Sequence, residues 1–381
     1  MFEKLKLWRK QISARIKLRR AKDRIRHLLE VTRTEQSKSL EEVMNDFKTL
    51  IAEKRAFPIR DTLVQYFQYR LQYKGARLGD FIFNSEWSST VMPIREWAKR
   101  DCDILNDKIL AAKHFKKHGI ASAFQIGTAS IKNVGILVNQ EDGEAVLLSE
   151  LLKTEKQIFA KPHDGIQGKG CFLLEYVDDK QCVANNENIS FPALADKLTE
   201  GYLFEKVIQN HPDLVAIYPH ALNTIRIVTM RDTEGKIHYV SGFHRFGVGG
   251  AKVDNAHSGG IAVGLNAEKG CWKKYAYADN ETYSTTTHPD SGFVFEDKPI
   301  PFFKEAVELA IKAHSSFERV QAVGWDVAIT PEGPIITEGN HNYWHIGNQY
   351  IDHPLREAFD TMIVPCLKAI QAGRMPWPGC K

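Results

Sequence analysis

The segment that decides the fold of this 381-residue chain reads VGWDVAITPEGPIITEGN and spans residues 323–340. Apolar runs flank a turn-forming Pro-Glu-Gly at residues 331–333, which predicts two strands joined as a hairpin. Asp326 lies on the first strand, whereas Glu338 and Asn340 lie two apart on the second and therefore share a face. Asp326 and Glu338 are at comparable distances from the turn, so we predict that they are cross-strand neighbours.

The two carboxylates and the amide of this hairpin favour a metal site. Acidic side chains held close together among apolar neighbours repel each other unless a cation lies between them. Because all three ligands offer oxygen, we predict that Asp326, Glu338 and Asn340 bind Mg²⁺, with Mn²⁺ as the alternative ion. The simpler interpretation is a surface hairpin with ordinary acids, which the apolar neighbours Trp325 and Ile336 disfavour.

A glycine-rich segment, KPHDGIQGKG at residues 161–170, gives a second candidate site. It lies between strands predicted at residues 158–160 and 172–176. Its glycines let backbone N–H groups approach an anion, and Lys161 and Lys169 add positive charge. The spacing matches neither the Walker A motif nor the dinucleotide fingerprint. A hairpin turn with solvated lysines is the alternative interpretation.

The remaining patterns alternate between strands and helices. We predict further strands at residues 225–230 and 238–243, an amphipathic helix at 302–314, and a helix at 108–117 that ends before Gly119. From residue 39 to about residue 100 the apolar spacing is mostly helical. Such a mixture predicts an α+β or α/β core.

Composition narrows the class of protein. Hydrophobic residues make up 43% and charged residues 26% of the chain, and the net charge is +4, which does not favour nucleic acid as a partner. The six cysteines form no CxxC pair, as expected for reduced thiols. No apolar run is long enough to span a bilayer, and no signal peptide is recognisable. We therefore expect a cytoplasmic protein.

Residues 1–30 contain eleven Lys and Arg residues. Leu5, Trp8, Ile12 and Ile16 recur at helical spacing and predict one apolar stripe on a cationic helix. One interpretation places this helix on an anionic membrane, at the inner membrane face. The other packs the stripe against the body of the protein and leaves the basic face in solvent.

The middle of the chain is rich in cations, glycine and amides. Residues 223–229 alternate between polar and apolar, as a half-buried strand does, and residues 244–260 follow as a glycine-rich run. Arg226 and Arg245 suit bidentate recognition of phosphate or carboxylate, with incidental surface cations as the alternative. His341 and His345 lack the helical context of a zinc pair, so we interpret them as substrate-side or structural histidines.

Taken in order, these motifs resemble the ATP-grasp superfamily, most closely its sugar-transfer-associated branch, which is linked to cell-surface polysaccharide biosynthesis. The resemblance implies an α+β fold in which two α+β subdomains clasp ATP, behind a helical N-terminal region. It implies a helical region at residues 1–103, subdomains at 104–200 and 201–370, and a tail at 371–381. The motifs that carry it lie at residues 107–108, 161–170, 204–212, 223–229, 253–260, 288–290 and 324–340.

The resemblance also implies a role for each motif. Arg226, Arg245 and Lys169 would be catalytic and face the γ-phosphate or the acceptor carboxylate. Asp326, Glu338 and Asn340 match the magnesium ligands of the family. His211 stands near the ribose, where many relatives carry an acid. The implied nucleotide-binding residues are Lys108, Lys161, Gly165, Gly168, Lys169, Gly170, Glu205, Lys206, Val207, Ile208 and His211, and the implied substrate-binding residues are Asn223, Asp254, Asn255, Ser258, Gly259 and Gly260.

The implied activity is that of an ATP- and Mg²⁺-dependent, ADP-forming carboxylate–amine ligase that acts through an acyl phosphate. We expect it to join an amino acid or a similar group to a sugar or glycan precursor. A small-molecule or sugar kinase on the same scaffold is one alternative. A non-catalytic nucleotide-sensing subunit is another, which the intact set of Lys161, Asp326, Glu338 and Asn340 disfavours.

Overall fold

The computed structural model describes residues 2–56, 58–132, 135–140, 143–163, 170–198, 201–255, 259–278 and 284–380, with side chains from residue 5 onward. Two antiparallel sheets, one of eight and one of seven strands, follow an N-terminal helical region. This content of helices and antiparallel sheets confirms the predicted α+β class.

The N-terminal region consists of helices joined by non-helical connections and has a core of its own. Its third helix begins with a capping box: the Ser39 side chain accepts from the Glu42 N–H, and the Glu42 carboxylate accepts from the Ser39 N–H. The buried rings of Phe47 and Tyr66 lie 4.9 Å apart, so these aromatic residues serve as core. The helices are α1 (Phe2–Arg20), α2 (Lys22–Val31), α3 (Leu40–Ala52), α4 (Ile59–Gln68), α5 (Asn84–Trp97) and α6 (Lys99–Asn106), with a 3₁₀ turn at Leu78–Asp80.

The first sheet has the strand order β3-β2-β1-β8-β4-β5-β6-β7. Strand β8 lies at its centre, although β8 comes after residue 200 in the chain. The chain therefore leaves the first sheet after the predicted boundary between the two subdomains. The subdomain bounds stay a prediction. The sheet packs against α8 through the buried side chains of Leu148, Leu152 and Ile158. Its strands are β1 (Gln125–Lys132), β2 (Gly135–Asn139), β3 (Ala145–Leu147), β4 (Gln157–Lys161), β5 (Phe172–Tyr176), β6 (Gln181–Ala184), β7 (Glu187–Ser190) and β8 (Leu203–Lys206), with helices α7 (Lys108–Lys117), α8 (Leu148–Glu155) and α9 (Phe191–Ala195).

The second sheet has the strand order β13-β12-β11-β10-β9-β14-β15. Every residue of β9 is buried, because α11 covers one face of the sheet and the end of the chain covers part of the other. The strands are β9 (Thr224–Arg231), β10 (Ile237–Phe246), β11 (Ile261–Asn266), β12 (Cys271–Ala278), β13 (Ser284–Thr285), β14 (Ala322–Thr330) and β15 (Gly333–Asn340). The helices are α10 (Pro212–Ile217), α11 (Phe303–Ser315), α12 (His345–Gly347), α13 (Arg356–Ala358) and α14 (Val364–Gln371), with π-helical turns at Asn348–Asp352 and Phe359–Ile363.

The hairpin of β14 and β15 forms as predicted. Asp326 lies directly opposite Glu338, and Gly324 lies opposite Asn340. Gly333 closes the turn with φ = 128°, a conformation that residues with a Cβ rarely adopt. The hairpin therefore brings both predicted acidic residues to the same position along the sheet.

Two backbone hydrogen bonds join the start of the first sheet to the edge of the second. The N–H of Ala123 donates to the carbonyl of Ile336 at 3.0 Å, and the N–H of Ile336 donates to the carbonyl of Ala121 at 2.9 Å. The segment before β1 thus lies along β15, next to the hairpin that carries Glu338.

Candidate active site

A narrow cleft lies between the two sheets, beside α7. Four charged side chains from four separate elements line it: Lys108 of α7, Lys161 of β4, Glu205 of β8 and Glu338 of β15. The structure thus brings together residues that the sequence analysis assigned to nucleotide and metal binding. The complete lining is Leu105, Lys108, Ala111, Ala112, Phe115, Ser122, Ala123, Gln125, Lys161, Glu205, Ile336, Thr337, Glu338 and Gly339.

Lys161 and Glu205 form an ion pair at the centre of this cleft. The Nζ of Lys161 lies 2.8 Å from Oε2 of Glu205, and the two side chains are only 11% and 6% exposed. Antiparallel pairing of β4 with β8 places the two residues close together. Lys161 ends β4, so its ammonium group lies where the glycine-rich segment begins.

The glycine-rich segment is described only at its ends, and the predicted residues Gly165, Gly168 and Lys169 lie outside the described residues. Gly170 has φ = 76°, and a Cβ placed there would lie 2.8 Å from the hydroxyl oxygen of Tyr202. That hydroxyl donates to the Gly170 carbonyl at 2.6 Å. Only glycine fits this contact, which fixes the end of the segment to the first sheet.

Residues 205–208 are among the implied nucleotide-binding residues, and of these four the cleft lining includes Glu205. Lys206 is exposed, and its Nζ lies 3.1 Å from Oε1 of Glu155. Val207 and Ile208 are half-buried residues of the connection to α10. His211 caps α10 by accepting from the Asp213 N–H at 3.2 Å.

A buried charge cluster includes Asp326 of the β14–β15 hairpin. Arg226 of β9 binds Asp326 in a bidentate manner, with Nε donating to Oδ1 at 2.5 Å and Nη2 donating to Oδ2 at 3.1 Å. The Nη2 of Arg245 lies 3.1 Å from the same Oδ2. Burial raises the pKa of Asp326, but the two guanidinium groups outweigh it and hold that pKa below its usual range. Asp326 is therefore an ionised carboxylate fixed by two arginines.

Arg245 also bridges to the predicted substrate-side residues. Its side chain donates to the Thr224 hydroxyl, and its Nε lies 3.4 Å from Oδ2 of Asp254. The same Asp254 oxygen accepts from the Thr224 N–H at 2.9 Å and from its hydroxyl at 2.5 Å. Burial raises the pKa of Asp254, and Arg245 opposes that effect. Two arginines and two aspartates thus form one compact network across three strands.

The other predicted substrate-side residues have structural contacts. Asn223 is fully buried, and its amide donates to the Tyr218 carbonyl at 2.8 Å. The Gly260 N–H donates to the Asn255 carbonyl at 3.2 Å. Gly259 has φ = 92°, a left-handed conformation, and Ser258 lies outside the described residues.

A sequence profile of the sugar-transfer associated ATP-grasp family matches residues 94–355, which is more than half of the chain. The chain belongs to this family. The predicted resemblance is thereby confirmed, and the match includes the cleft, the charge cluster and the hairpin. A comparison with curated proteins found no match.

Several solved structures are similar to this ATP-grasp protein. N5-carboxyaminoimidazole ribonucleotide synthetase from Thermotoga maritima is 12% identical, with a TM-score of 0.37 over 73% of this chain and 52% of that one. D-alanine–D-alanine ligase from Bacillus anthracis is 13% identical, with a TM-score of 0.34 over 62% and 57%. The biotin carboxylase domain of 2-oxoglutarate carboxylase from Hydrogenobacter thermophilus, in complex with MgADP, ADP and bicarbonate, is 13% identical, with a TM-score of 0.37 over 72% and 46%. The chain spans about half the length of these structures, and such low scores carry no argument about substrate.

The two carboxylates of the hairpin differ in their availability to a divalent cation, because both oxygens of Asp326 contact arginine. The Glu338 side chain is half-buried and has no hydrogen bond or ion pair with any described residue, although Glu338 lies opposite the ionised Asp326. The amide nitrogen of Asn340 is buried without a hydrogen-bond partner among the described residues, and the amide oxygen is the atom that would bind a cation. Among the described residues, no three His, Cys, Asp or Glu side chains could hold a metal by themselves. Mg²⁺ is commonly held by one or two carboxylates completed by substrate phosphates, which suits this set.

Sequence reasoning missed the partners of the predicted residues. The Thr224 hydroxyl accepts from Arg245 and donates to Asp254. The only sequence signal for this role was that Thr224 lies two residues before Arg226 on a strand of alternating polarity. His288 and Asp290 belong to a family motif to which no role was assigned. They contact the chain just after β10: His288 Nε2 lies 2.9 Å from the Gly247 carbonyl oxygen, and the Asp290 carboxylate accepts from the Gly249 N–H at 2.7 Å.

Proposed function

We propose that the protein is an ATP-dependent, ADP-forming carboxylate–amine ligase. The observation that carries the proposal is the cleft in which Lys108, Lys161, Glu205 and Glu338 meet, next to the arginines that hold Asp326. Membership of the ATP-grasp family supports it. The lysines of this cleft can bind the phosphates of a nucleotide, and a carboxylate beside them can bind the divalent ion that accompanies those phosphates.

In this proposal the lysines bind the nucleotide phosphates. Lys161 exchanges Glu205 for a phosphate oxygen, which frees the Glu205 carboxylate to accept from the adenine amino group. The glycine-rich segment, with Gly165, Gly168 and Lys169, covers the β- and γ-phosphates. Asp326, Glu338 and Asn340 hold Mg²⁺, which neutralises charge on the terminal phosphates when it is bound.

Arg226 and Arg245 provide the fixed positive charge near the reacting phosphate. Their carboxylate and hydroxyl partners orient them before any substrate binds, and such preorganisation favours charge that develops in the transition state. An oxygen of the substrate carboxylate attacks the γ-phosphorus, and the bond to the ADP oxygen breaks. The amine then attacks the acyl carbon, loses a proton and releases phosphate, leaving an amide.

The substrates follow from the family name alone. A sugar-transfer associated protein suits an amino acid or similar group joined to a sugar or glycan precursor during cell-surface polysaccharide biosynthesis. The kinase alternative shares every step up to phosphoryl transfer, because it differs only in the acceptor atom. The nucleotide-sensing alternative shares only ATP binding.

The test is incubation with ATP, Mg²⁺ and candidate carboxylic acids in the presence of hydroxylamine, which converts an acyl phosphate into a hydroxamate. We expect ADP together with a hydroxamate, and neither product from the Glu338→Gln variant. ADP with a stable phosphate ester and no hydroxamate would establish the kinase. AMP with pyrophosphate would refute the ligase class, and ATP binding without turnover of any acid would favour the sensing subunit.

We also infer that residues 1–30 contact an anionic membrane at the inner membrane face. Leu5, Trp8, Ile12 and Ile16 are 45%, 57%, 37% and 47% exposed, because α1 packs on the body through a different face that includes Leu18. This supports the membrane interpretation over the packed one. Within the described residues, no helix is both long and apolar enough to cross a bilayer, so the contact would be peripheral.

Co-sedimentation with vesicles of acidic lipid tests this contact. We expect the double substitution Trp8→Ala and Ile12→Ser to reduce binding, and added salt to weaken what remains. Met92→Ala is the matched control, since Met92 is also an exposed apolar side chain, at 57%, but lies on α5. Equal sedimentation of all three proteins would refute the inference.

A further inference from the structure

Arg226 ends a row of side chains on one face of β9. Residues 226, 228 and 230 point to the same side of the strand, because side chains alternate along it. Val228 and Met230 pack into an apolar cluster together with Trp87 of α5 and Tyr343, which follows β15. Arg226 is the next residue along this face and belongs to the charge cluster. The core between α5 and the second sheet thus continues directly into the candidate site.

Tyr343 and the stem of Arg226 lie side by side over Gly324 of β14. A Cβ placed on Gly324 would lie 2.5 Å from the Cβ of Tyr343 and 3.2 Å from the Cδ of Arg226. The two side chains therefore occupy the space that any larger residue at position 324 would need. Tyr343 is only 3% exposed, and its hydroxyl has no hydrogen-bond partner among the described residues. What Tyr343 supplies at this position is therefore the packing of its ring and Cβ.

Trp87 supports Tyr343 from α5. Its ring contacts Tyr343 edge-on, with centroids 5.6 Å apart, and stacks on His345 at 4.4 Å with 9° between the planes. Glu86, the preceding residue, binds the guanidinium of Arg356 through contacts of 2.7 and 2.8 Å. Helix α5 is thus tied to the end of the chain by charge and to the segment after β15 by stacked rings.

Arg226 is held at two points, its guanidinium group and its stem. Asp326 accepts two hydrogen bonds from the guanidinium group. Because Asp326 is also a proposed metal ligand, a cation bound there would compete for the same oxygens. The contact between Tyr343 and the stem does not use those oxygens, so it would still fix the direction of the side chain.

We propose that Trp87 and Tyr343 are positioning residues for Arg226, so that the N-terminal helical region forms part of the active site through α5. The inference rests on the proposed function, in which Arg226 faces the γ-phosphate. Neither Trp87 nor Tyr343 touches the nucleotide in this proposal. Both act through the stem of Arg226.

The test compares two nucleotides that differ in the γ-phosphate. Calorimetry in the presence of Mg²⁺ gives the affinities for ADP and for AMP-PNP, an ATP analogue that resists hydrolysis, and the ratio of the two is the readout. We expect Arg226→Met to bind AMP-PNP about tenfold or more weakly, with little change for ADP, because only the γ-phosphate contact is lost. General loosening of the fold would affect both nucleotides and leave the ratio unchanged.

The variants on α5 form a matched pair. We expect Trp87→Leu to lower the affinity for AMP-PNP about threefold or more, and that for ADP much less, because a displaced Arg226 makes a poorer phosphate contact. Trp97→Leu is the control, since Trp97 lies on the same helix but packs against Trp377, with centroids 5.8 Å apart. It should keep the wild-type ratio. Trp87→Phe should restore most of the loss, and Tyr343→Phe should keep the ratio because the ring remains.

If Trp87→Leu fails to fold, Gly324→Ala decides, because the added Cβ must displace Tyr343 or Arg226, and the same selective loss is expected. A wild-type ratio in whichever of these two variants folds, alongside a changed ratio in Arg226→Met, would overturn the inference and leave the proposed function intact. An equal loss in Trp97→Leu would attribute the effect to general loosening and overturn it too. A loss in Tyr343→Phe would assign the effect to the hydroxyl and contradict the packing argument.

Two further results separate this inference from the proposed function. A wild-type ratio in Arg226→Met would remove Arg226 from the γ-phosphate, which overturns the inference but leaves the ATP site. A wild type that binds neither nucleotide would refute the ATP site itself, and the inference with it.

Discussion

The ammonium group of Lys161 lies 2.8 Å from the carboxylate of Glu205, in the cleft assigned to ATP. Both side chains are nearly excluded from solvent, so each supplies the charge that the other needs. The loss of Lys161 would therefore leave a buried, unpaired carboxylate as well as remove a phosphate ligand. These two effects can be separated by experiment.

We predict that Lys161→Met weakens ATP binding about tenfold or more, since a hydrogen bond to a charged phosphate contributes about 1.5–3 kcal/mol. The same variant should lose about 3–5 kcal/mol of unfolding free energy because Glu205 is stranded. Adding Glu205→Gln should restore most of the stability but not the ATP affinity. Calorimetry and urea unfolding measure the two effects, with Lys153→Met, a lysine on the exposed face of α8, as the control. Unchanged ATP affinity in both Lys161 variants would remove this residue from the nucleotide site.

Glu338 and Asp326 should respond differently to loss of charge. We expect Glu338→Gln to lower turnover about 100-fold or more at saturating Mg²⁺, with little change in unfolding free energy, because the Glu338 side chain forms no hydrogen bond or ion pair with a described residue. Asp326→Asn should lower turnover and also destabilise the fold by about 3 kcal/mol, because it strands two buried arginines. Near-normal activity in either variant would argue against the metal assignment.

Cys171 should report on occupancy of the cleft. Cys171 directly follows Gly170 of the glycine-rich segment, so it lies beside the proposed nucleotide site. Burial raises the pKa of its thiol, and Lys161 and Lys108 oppose that effect. We predict that Mg-ATP slows its alkylation severalfold, as followed by mass spectrometry. Cys380, near the end of the chain and in contact with the Glu318 carbonyl, is the internal control, and its rate should not change. Equal rates at Cys171 with and without nucleotide would place ATP elsewhere.

The stability of the fold should decrease in mild acid because of buried histidines. His314 is fully buried between the Thr229 hydroxyl and the Val320 carbonyl, and burial, aided by Arg231, lowers its pKa to about 3. In the unfolded chain a histidine takes up a proton below about pH 6.5, whereas folded His314 stays neutral until about pH 3. Stability is therefore lost as pH falls through that window, by about 2 kcal/mol for this residue between pH 6.5 and 5.

The measurement is urea unfolding of the wild type and His314→Gln at neutral pH and near pH 5. Glutamine retains a hydrogen-bonding side chain but does not titrate, so its unfolding free energy should fall by about 2 kcal/mol less than that of the wild type. Burial also lowers the pKa values of His244 and His345 to about 3, so part of the pH dependence should persist in the variant. Identical pH dependence in both proteins would show that His314 is not held neutral.

Local features of the fold were predictable from sequence because their causes are local. Turn chemistry and alternation place the strands of the 322–340 hairpin, and they predict the pairing of Asp326 with Glu338. The Asp107 side chain caps the first turn of α7, and the helix has the predicted bounds of Lys108 to Lys117. Each of these depends on residues within about twenty positions of one another.

The partners of the site residues were not predictable in this way. Arg226 and Asp326 are 100 residues apart, and their contact follows from the register of β9 against β14, which neither strand dictates alone. The same holds for Lys161 and Glu205, since nothing local places β8 beside β4.

The backbone bonds between residues 121–123 and Ile336 also bear on how the protein could move. They join the two sheets at one edge of the cleft through short, directional contacts. If one sheet rotates relative to the other, this edge would then be the hinge axis. Thr337 and Glu338 lie next to this edge and would move little. Closure would thus bring the proposed phosphate ligands of the first sheet toward the proposed metal ligands of the second.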